Sequence, residues 1–303
     1  MSRRWASWWL RALFWCSERA PWAPRLLRAP AVRLALLTSG SVRSATRANA
    51  ARLLGPACSG RGARRYALGV LGRFYDAVLE IGSNSGRTPD QIAARVVEIG
   101  GREGYLGARA AGRGAVLVTA HLGSFETAIA VLRTIEPRVH VVFRRDEFAV
   151  FERLRSRQRE RLGVLEAPVD EGLATWIALR DALARDEVVL MQGDRCMPGQ
   201  RGVEVPFLGG RLRVPTGPAR LARLAGAPVI PVFAIETDDG GVRVELTEPI
   251  EPGEHPARPG EPDPITPIVA HRIEGVVRAY PTQWLCLHPV LVEDQHPAGA
   301  GVS

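Results

Sequence analysis

The chain has 303 residues, of which 46% are hydrophobic and 24% are charged, and its formal net charge is +8. This composition is typical of a globular protein with a sizeable core, and it excludes a largely disordered chain. Four scattered cysteines without a C-x-x-C spacing exclude a disulfide framework or a zinc ribbon and indicate a reducing compartment.

The positive charge is concentrated at the amino-terminal end. Residues 1–73 contain fourteen arginines and a single acidic residue, Glu18, so this part has a net charge of +13 and the remainder a net charge of −5. A basic end on a slightly acidic body predicts an anionic partner, which is either nucleic acid or a surface of anionic lipid headgroups.

The first predicted element is an amphipathic helix. Its apolar residues fall on one helical face with arginines between them, namely Trp5, Trp8, Trp9, Ala12 and Leu13. The apolar run is too short and too often interrupted to span a bilayer or to act as a signal peptide. Since tryptophan favours the bilayer interface, we expect residues 1–60 to form a helical, membrane-associating segment; a helix packed on the core is the alternative. The interleaving of arginine with tryptophan and leucine argues against nucleic acid as the partner.

From residue 61 to residue 290, helical and strand-like segments alternate. Strands are predicted at 115–119, 139–143, 164–166, 187–191, 228–235 and 242–246. Helices are predicted at 66–80, 88–99, 125–135, 148–162, 173–185, 217–224 and 268–278, and a Gly-rich loop at 193–210. This alternation predicts an α/β domain over 61–290, with a mostly parallel central sheet flanked by helices, followed by a tail at 291–303.

His121 is the residue best placed for chemistry, because it directly follows the buried strand at 115–119. Glu126 lies five residues later, in the first turn of the next helix, and sites in open α/β sheets form at the carboxyl ends of strands. We expect the Glu126 carboxylate to hold one ring nitrogen while the other takes a proton from a hydroxyl. Gly123 between them would allow a substrate to approach closely. By spacing alone, an unrelated histidine and glutamate are the alternative.

Other kinds of site are excluded by missing motifs. The chain has no G-x-S-x-G serine elbow, no P-loop and no G-x-G-x-x-G turn. The other five histidines show no metal-ligand spacing with His121, so no metal site is predicted. A histidine–carboxylate pair without a protein nucleophile favours direct attack of a substrate hydroxyl on an activated acyl group.

Four blocks then follow one another along the chain. They are His121-Leu-Gly-Ser-Phe-Glu126, Val141-Val-Phe-Arg144-Arg145, Leu190-Met-Gln-Gly-Asp194-Arg195 with the later Val205-Pro-Phe-Leu-Gly209, and Tyr280-Pro-Thr-Gln-Trp284. In type and order they resemble the lysophospholipid/lipid A acyltransferase superfamily, in particular its bacterial lauroyl/myristoyl-type lipid A acyltransferase branch. The resemblance covers about residues 60–290.

The resemblance implies an enzyme that moves a fatty acyl group from an acyl carrier protein or coenzyme A thioester to a hydroxyl of a lipid or glycolipid. No cofactor is expected, because the thioester is already activated. His121 would be the general base and Glu126 its partner, at the cytoplasmic face of the bacterial inner membrane, with the protein bound peripherally or monotopically.

The resemblance also implies substrate-binding residues. Arg144 would hold an oxyanion or a phosphate, and the other expected substrate contacts are Arg145, Asp194, Arg195, Gly123 and Gly209. The four charged residues have structural alternatives: a solvated surface pair for Arg144 and Arg145, and an ion pair that holds the Gly-rich loop for Asp194 and Arg195. For Gln283 and Trp284 we expect core packing rather than contact with substrate.

One departure leaves the acceptor open. The family usually carries Asp-Gln where this chain has Gly193-Asp194-Arg195, which argues against assuming lipid A and leaves other glycolipids and phospholipids as candidates. Two other functions use the same features: a thioesterase or hydrolase that activates water with the same dyad, and a non-catalytic lipid-binding protein.

Overall fold

A computed structural model describes residues 16, 19–20, 22–55, 57–84, 86–145, 149–197, 199–253 and 263–295. The predicted Trp-rich helix within residues 1–15 lies outside the described residues. The described strands are β1 (Val96–Gly100), β2 (Ala115–Thr119), β3 (Val139–Phe143), β4 (Leu165–Pro168), β5 (Val188–Gln192), β6 (Gly202–Phe207), β7 (Gly210–Pro215), β8 (Val229–Glu236) and β9 (Val242–Leu246).

The described helices surround these strands. They are α1 (Trp22–Thr38), α2 (Gly40–Leu54), α3 (Gly60–Asn84), α4 (Pro89–Ala93), α5 (Arg102–Arg109), α6 (Phe125–Ile135), α7 (Ala149–Arg161), α8 (Leu173–Ala184), α9 (Gly217–Ala225), α10 (Ile265–Ala279) and α11 (Val292–Gln295), with 3₁₀ turns at Val169–Glu171 and Pro281–Gln283.

Seven strands form the central sheet, in the order β1-β9-β8-β2-β5-β3-β4. Neighbouring strands are parallel except for β8 and β9, which are antiparallel. The predicted α/β fold with a mostly parallel sheet flanked by helices is therefore confirmed. In such sheets the carboxyl ends of the parallel strands meet at one edge, and functional groups on the following loops come together there.

The core lies on both faces of β2. All five of its residues are buried, and alternate side chains point to opposite faces of the sheet. Val116 and Val118 pack with α10 and with apolar residues of β6 and β7, whereas Ala115 and Leu117 pack with α5 and α6. Burial on both faces is why this strand is a continuous apolar run.

Two predicted elements are wrong. Residues 96–99 were expected to continue the helix predicted at 88–99, but that helix stops at Ala93, and β-branched residues from Val96 onward pair with β9 at the edge of the sheet. Residues 193–210 were expected to be loop, yet β6 and β7 form an antiparallel hairpin over part of this range. Leu208 and Gly209 both have positive φ, 50° and 72°, as a two-residue hairpin turn requires.

The amino-terminal helices pack against α3. Val32 and Leu36 of α1 contact the α3 residues Ala67 and Leu71. Arg28 also pairs with Asp76 through two contacts of 2.7 Å. Within the described ranges, none of the helices has the length and hydrophobicity needed to cross a membrane. Membrane association of residues 1–60 stays a prediction.

Candidate active site

His121 lies in a tight loop between β2 and α6. The loop is paired with the 281–285 segment: the Leu285 N–H donates to the His121 carbonyl at 2.8 Å, and Leu122 forms an antiparallel bridge with Trp284. Gly123 has a φ of +62°, and a Cβ on it would lie 1.6 Å from the Ala234 carbonyl oxygen of β8. The backbone of β8 thus requires glycine here, which is a different reason from the substrate approach that the sequence suggested.

Asp194, not Glu126, holds the His121 ring. His121 Nδ1 lies 2.7 Å from Asp194 Oδ1, and the Trp284 indole donates to Asp194 Oδ2 at 2.9 Å. The Asp194 side chain is 1% exposed, while that of His121 keeps 29% of its surface exposed. A buried carboxylate therefore connects a core tryptophan to a histidine that solvent can reach.

The pairing of β2 with β5 brings these residues together. The two strands are parallel neighbours with Thr119 opposite Gln192, and the Gly193 N–H donates to the Thr119 carbonyl at 2.8 Å. His121 lies two residues after Thr119, and Asp194 lies two residues after Gln192. Their side chains consequently meet at the carboxyl edge of the sheet, although 73 residues separate them in the chain.

Asp194 is ionised in this site. Burial alone raises the pKa of its carboxyl group, but the charge that His121 carries when its ring is protonated, the charge of Arg195 and the hydrogen bonds from the imidazole and the Trp284 indole outweigh burial and hold that pKa well below its usual range. Because an ionised carboxylate only accepts, the proton of a neutral His121 lies on Nδ1 and Nε2 has a lone pair.

Arg195 lies on the same side of the ring. Its Nε is 3.1 Å from His121 Nδ1, and its Nη2 donates to the Leu285 carbonyl at 3.4 Å. Nδ1 cannot both donate to Asp194 and accept from Arg195, and the shorter contact to the buried carboxylate assigns Nδ1 as the donor. In the part of the chain that the structure describes, no protein group bonds Nε2.

The expected hydrogen bond between Glu126 and His121 is not found among the described residues. Glu126 lies in the first turn of α6, where burial and the charge of Glu80 raise the pKa of its carboxyl group while the charges of Arg155 and Arg159 lower it. The backbone contacts of Leu122 and Gly123 hold the loop in place. These contacts, rather than the H-x4-E spacing, determine where the Glu126 side chain points. The catalytic role of Glu126 stays a prediction.

The two predicted arginines lie at the same edge of the sheet. Arg144 and Arg145 follow β3, the neighbour of β5, and both are exposed. Arg145 pairs with Asp170 at 2.7 Å and with Glu171. Gly209 lies at the tip of the β6–β7 hairpin. The structure joins only Asp194 and Arg195 of the predicted substrate contacts to His121, and substrate binding by the predicted set stays a prediction.

The Tyr280–Trp284 block has a role beyond the core packing expected for it. Trp284 is a core residue and also bonds Asp194. Gln283 accepts from the Glu236 N–H at 2.9 Å and donates to the Glu236 carbonyl at 2.8 Å, so it holds the end of β8. The sequence showed the block itself, but its contacts with the His121 block and the Asp194 block could not be predicted from it.

An apolar cavity of about 140 Å³ lies between α6 and the sheet. Thr119 and Phe125, on either side of the His121 loop, line it together with Ala128, Leu132 and Leu190. Its size is close to the roughly 150 Å³ of an engineered apolar cavity that binds benzene. The described residues hold no cluster of three or more His, Cys, Asp or Glu that suits a metal ion.

Comparisons with known proteins give the site its context. The model of the family described as "Bacterial lipid A biosynthesis acyltransferase" matches residues 2–292. Two similar proteins are named phosphatidylinositol mannoside acyltransferase. The one from Mycobacterium tuberculosis is 30% identical over 82% of this chain and 77% of its own length. The one from Mycolicibacterium smegmatis is 30% identical over 61% of this chain, and the match covers 59% of that protein's length.

Proposed function

Because this chain belongs to the bacterial lipid A biosynthesis acyltransferase family, we propose that it transfers a fatty acyl group from a thioester to a hydroxyl of a glycolipid. The observation that carries the proposal is the sequence of contacts from Trp284 through Asp194 to His121, which leaves Nε2 as a base. Relatives named for acylation of phosphatidylinositol mannoside support a glycolipid acceptor. The donor is an acyl carrier protein or coenzyme A thioester.

The reaction proceeds by direct attack. Nε2 of His121 takes the proton of the acceptor hydroxyl while the hydroxyl oxygen forms a bond to the thioester carbonyl carbon. The resulting oxyanion intermediate collapses, the carbon–sulfur bond breaks, and the imidazolium returns the proton to the leaving thiolate. Asp194 remains ionised throughout, orients the ring and stabilises the imidazolium. The proton is conserved, and no cofactor is required.

Other polar residues serve the substrates in this proposal. Arg144 stabilises the oxyanion or binds a phosphate of the donor, for which the fork of its guanidinium group is suited. Arg145, Arg195 and Gly209 contact the substrates, and Glu126 acts on the acceptor or on a group next to it rather than on Nδ1 of His121. A larger effect on KM than on kcat in Arg144→Gln would assign it to binding, and the reverse to the oxyanion.

The apolar cavity under α6 accepts part of the acyl chain. It is lined by apolar side chains and adjoins the His121 loop through Thr119 and Phe125. Filling it with Ala128→Phe is expected to shift the preferred donor to a shorter acyl chain. An unchanged chain-length profile would refute this assignment.

The protein acts at the cytoplasmic face of the bacterial inner membrane in this proposal, bound peripherally or monotopically. Along the outer side of α1, Trp22 and Leu26 are 66% and 72% exposed, and Leu34 and Leu37 are exposed as well. An apolar face on a helix rich in arginine is typical of interfacial binding.

The test is acyl transfer by the purified full-length protein. It is incubated with acyl-coenzyme A or acyl carrier protein donors and with phosphatidylinositol mannosides, and lipid products are identified by mass spectrometry. Wild type is expected to yield an acylated glycolipid, and His121→Ala to yield none while keeping its thermal stability. Free fatty acid alone would indicate a thioesterase, and lipid binding without turnover a non-catalytic protein.

A further inference from the structure

A second cavity, larger than the first and lined mainly by charged residues, lies beside the His121 loop. It has a volume of about 490 Å³ and is bounded by α3, by the start of α1 and by the end of β8. Pockets for small ligands measure roughly 300–1,000 Å³. The volume is therefore sufficient for a polar headgroup, and none of the substrate contacts predicted from the sequence line this cavity.

Two contacts connect the cavity with the catalytic loop. The Ser124 hydroxyl, within the His121–Glu126 block, donates to Glu80 Oε1 at 2.6 Å, and Glu80 lines the cavity. Glu236, another lining residue, is the last residue of β8, the strand that bridges to Gly123 through Ala234. A ligand in this cavity would thus lie next to the loop that carries the base.

The cavity is lined by three carboxylates and three guanidinium groups, and ion pairs with arginines hold each carboxylate in place. Glu80 pairs with Arg95, Glu236 pairs with Arg73, and Asp76 pairs with Arg28. These pairs hold hydrogen-bond acceptors and donors side by side before any ligand binds, which reduces the entropy lost on binding.

This chemistry favours a polyhydroxylated ligand. A sugar hydroxyl both donates and accepts hydrogen bonds, so neighbouring hydroxyls match a wall that contains both carboxylate and guanidinium groups. An apolar ligand could form no hydrogen bonds with these charged groups, and Leu79 is the one large aliphatic side chain among the described lining residues. The three carboxylates are balanced by three arginines among the described lining residues, so the wall carries no net positive charge that would favour a free anion over a neutral sugar.

The rim of the cavity points to a lipid-linked sugar. Arg25 lines the cavity from the first turns of α1 and is exposed. Trp22 and Leu26, its neighbours on that helix, belong to the exposed apolar face. A glycolipid whose acyl chains stay in the bilayer under α1 can therefore place its headgroup in the cavity.

We propose that this cavity binds the sugar headgroup of the acceptor, with Glu236 and Asp76 accepting from its hydroxyls and Arg25 donating at the rim. The inference rests on the proposed acyl transfer to a glycolipid and specifies where that acceptor is recognised. Arg25, Asp76 and Glu236 are binding residues here and take no part in the proton transfer at His121.

The experiment separates binding from turnover. Binding of methyl α-mannoside to the full chain is measured by ligand-observed NMR, with inorganic phosphate as the anionic probe. Wild type is expected to bind the mannoside and Glu236→Gln to bind it about tenfold more weakly, the effect of one lost charge-assisted hydrogen bond. Preferential binding of phosphate, or equal mannoside binding by both proteins, would overturn the proposal.

Kinetics give the second measurement. Arg25→Gln and Glu236→Gln are each expected to raise KM for the phosphatidylinositol mannoside acceptor about tenfold, with KM for the acyl donor unchanged. Arg220→Gln removes the same charge from an exposed position on α9, away from both the cavity and α1, and is expected to match wild type. Unchanged acceptor KM in both cavity variants would refute the headgroup site.

Two features of this design keep its outcomes distinct. If Glu236→Gln does not fold, the exposed Arg25→Gln provides the same comparison. If wild type transfers no acyl group to any glycolipid, the proposed function fails, whereas mannoside binding still decides whether the cavity is a sugar site.

Discussion

Replacing Asp194 with asparagine should prevent His121 from acting as a base. The loss of charge is one cause, and the hydrogen bond that Trp284 demands of the same side chain is the other. The native site needs two acceptors, one for the His121 Nδ1–H at 2.7 Å and one for the Trp284 indole N–H at 2.9 Å. Asparagine offers one acceptor and one donor. If its oxygen faces His121, its NH₂ group faces the indole N–H, and an unsatisfied buried donor is unfavourable by about 1–3 kcal/mol.

The opposite orientation is therefore favoured, with the amide oxygen on Trp284 and the NH₂ group donating to Nδ1. The His121 proton then moves to Nε2, which can no longer accept one from a hydroxyl. The same tautomer inversion in a serine-protease triad lowers kcat about 10⁴-fold. We expect a kcat loss of that order in Asp194→Asn, measured as acylated lipid formed per unit time under saturating donor.

Two companion variants make the measurement specific. Glu126→Gln neutralises the other candidate carboxylate without a change of shape, and it should lower kcat by less than about tenfold, since it breaks no hydrogen bond to His121. Asp194→Asn combined with Trp284→Phe removes the indole donor, so the amide oxygen can turn to His121 and recover about tenfold or more of the lost activity. Near-normal turnover of Asp194→Asn, or a larger loss in Glu126→Gln, would refute this reasoning and restore Glu126 as the partner of His121.

Three further predictions concern the framework of the site and its surroundings. Trp284→Phe should destabilise the protein by about 1.5–3 kcal/mol in urea unfolding at pH 7, because a buried carboxylate loses a donor. The pKa of Asp194 in the folded protein lies below its unfolded value of about 3.9, so ionised Asp194 stabilises the fold above about pH 3.9 and this stabilisation is lost as the pH falls further. The difference in unfolding free energy between wild type and Trp284→Phe should therefore shrink in acid, and a difference independent of pH would contradict this prediction. Gly123→Ala should lower the unfolding free energy by about 2–5 kcal/mol, from a positive φ and a clash with the Ala234 carbonyl, and an unchanged melting temperature would exclude this account. The double variant Leu26→Glu/Leu34→Glu should lower co-sedimentation with anionic vesicles at least about tenfold, since each exposed leucine loses about 1.5 kcal/mol or more of burial in the membrane. Leu224→Glu on α9, where the leucine is 72% exposed, should bind the vesicles as wild type does. Equal binding by wild type, the double variant and Leu224→Glu would refute membrane binding through α1.

Local patterns in the sequence were sufficient for the elements around the site. The apolar run at 115–119 predicted β2, and the periodicity at 125–135 predicted α6, because both are determined by the burial of side chains close in sequence. The position of His121 at the carboxyl end of a buried strand followed directly. The same rules failed at 96–99, where pairing with β9 outweighs the local helix preference. They also failed at 202–215, where a Gly-rich stretch predicted as loop contains a β-hairpin.

By itself the sequence determined the family, the α/β class and the histidine at the centre of the site, since each depends on blocks and periodicities within short stretches. Only the tertiary structure decided which carboxylate holds that histidine. The partner follows from the parallel register of β2 and β5, which sets Thr119 opposite Gln192 and so brings Asp194 to His121 across 73 residues. It follows also from Trp284, whose buried indole fixes the second carboxylate oxygen. Spacing along the chain favoured Glu126, but hydrogen bonds across a sheet are set by strand order and register, which the spacing of residues within one loop does not contain.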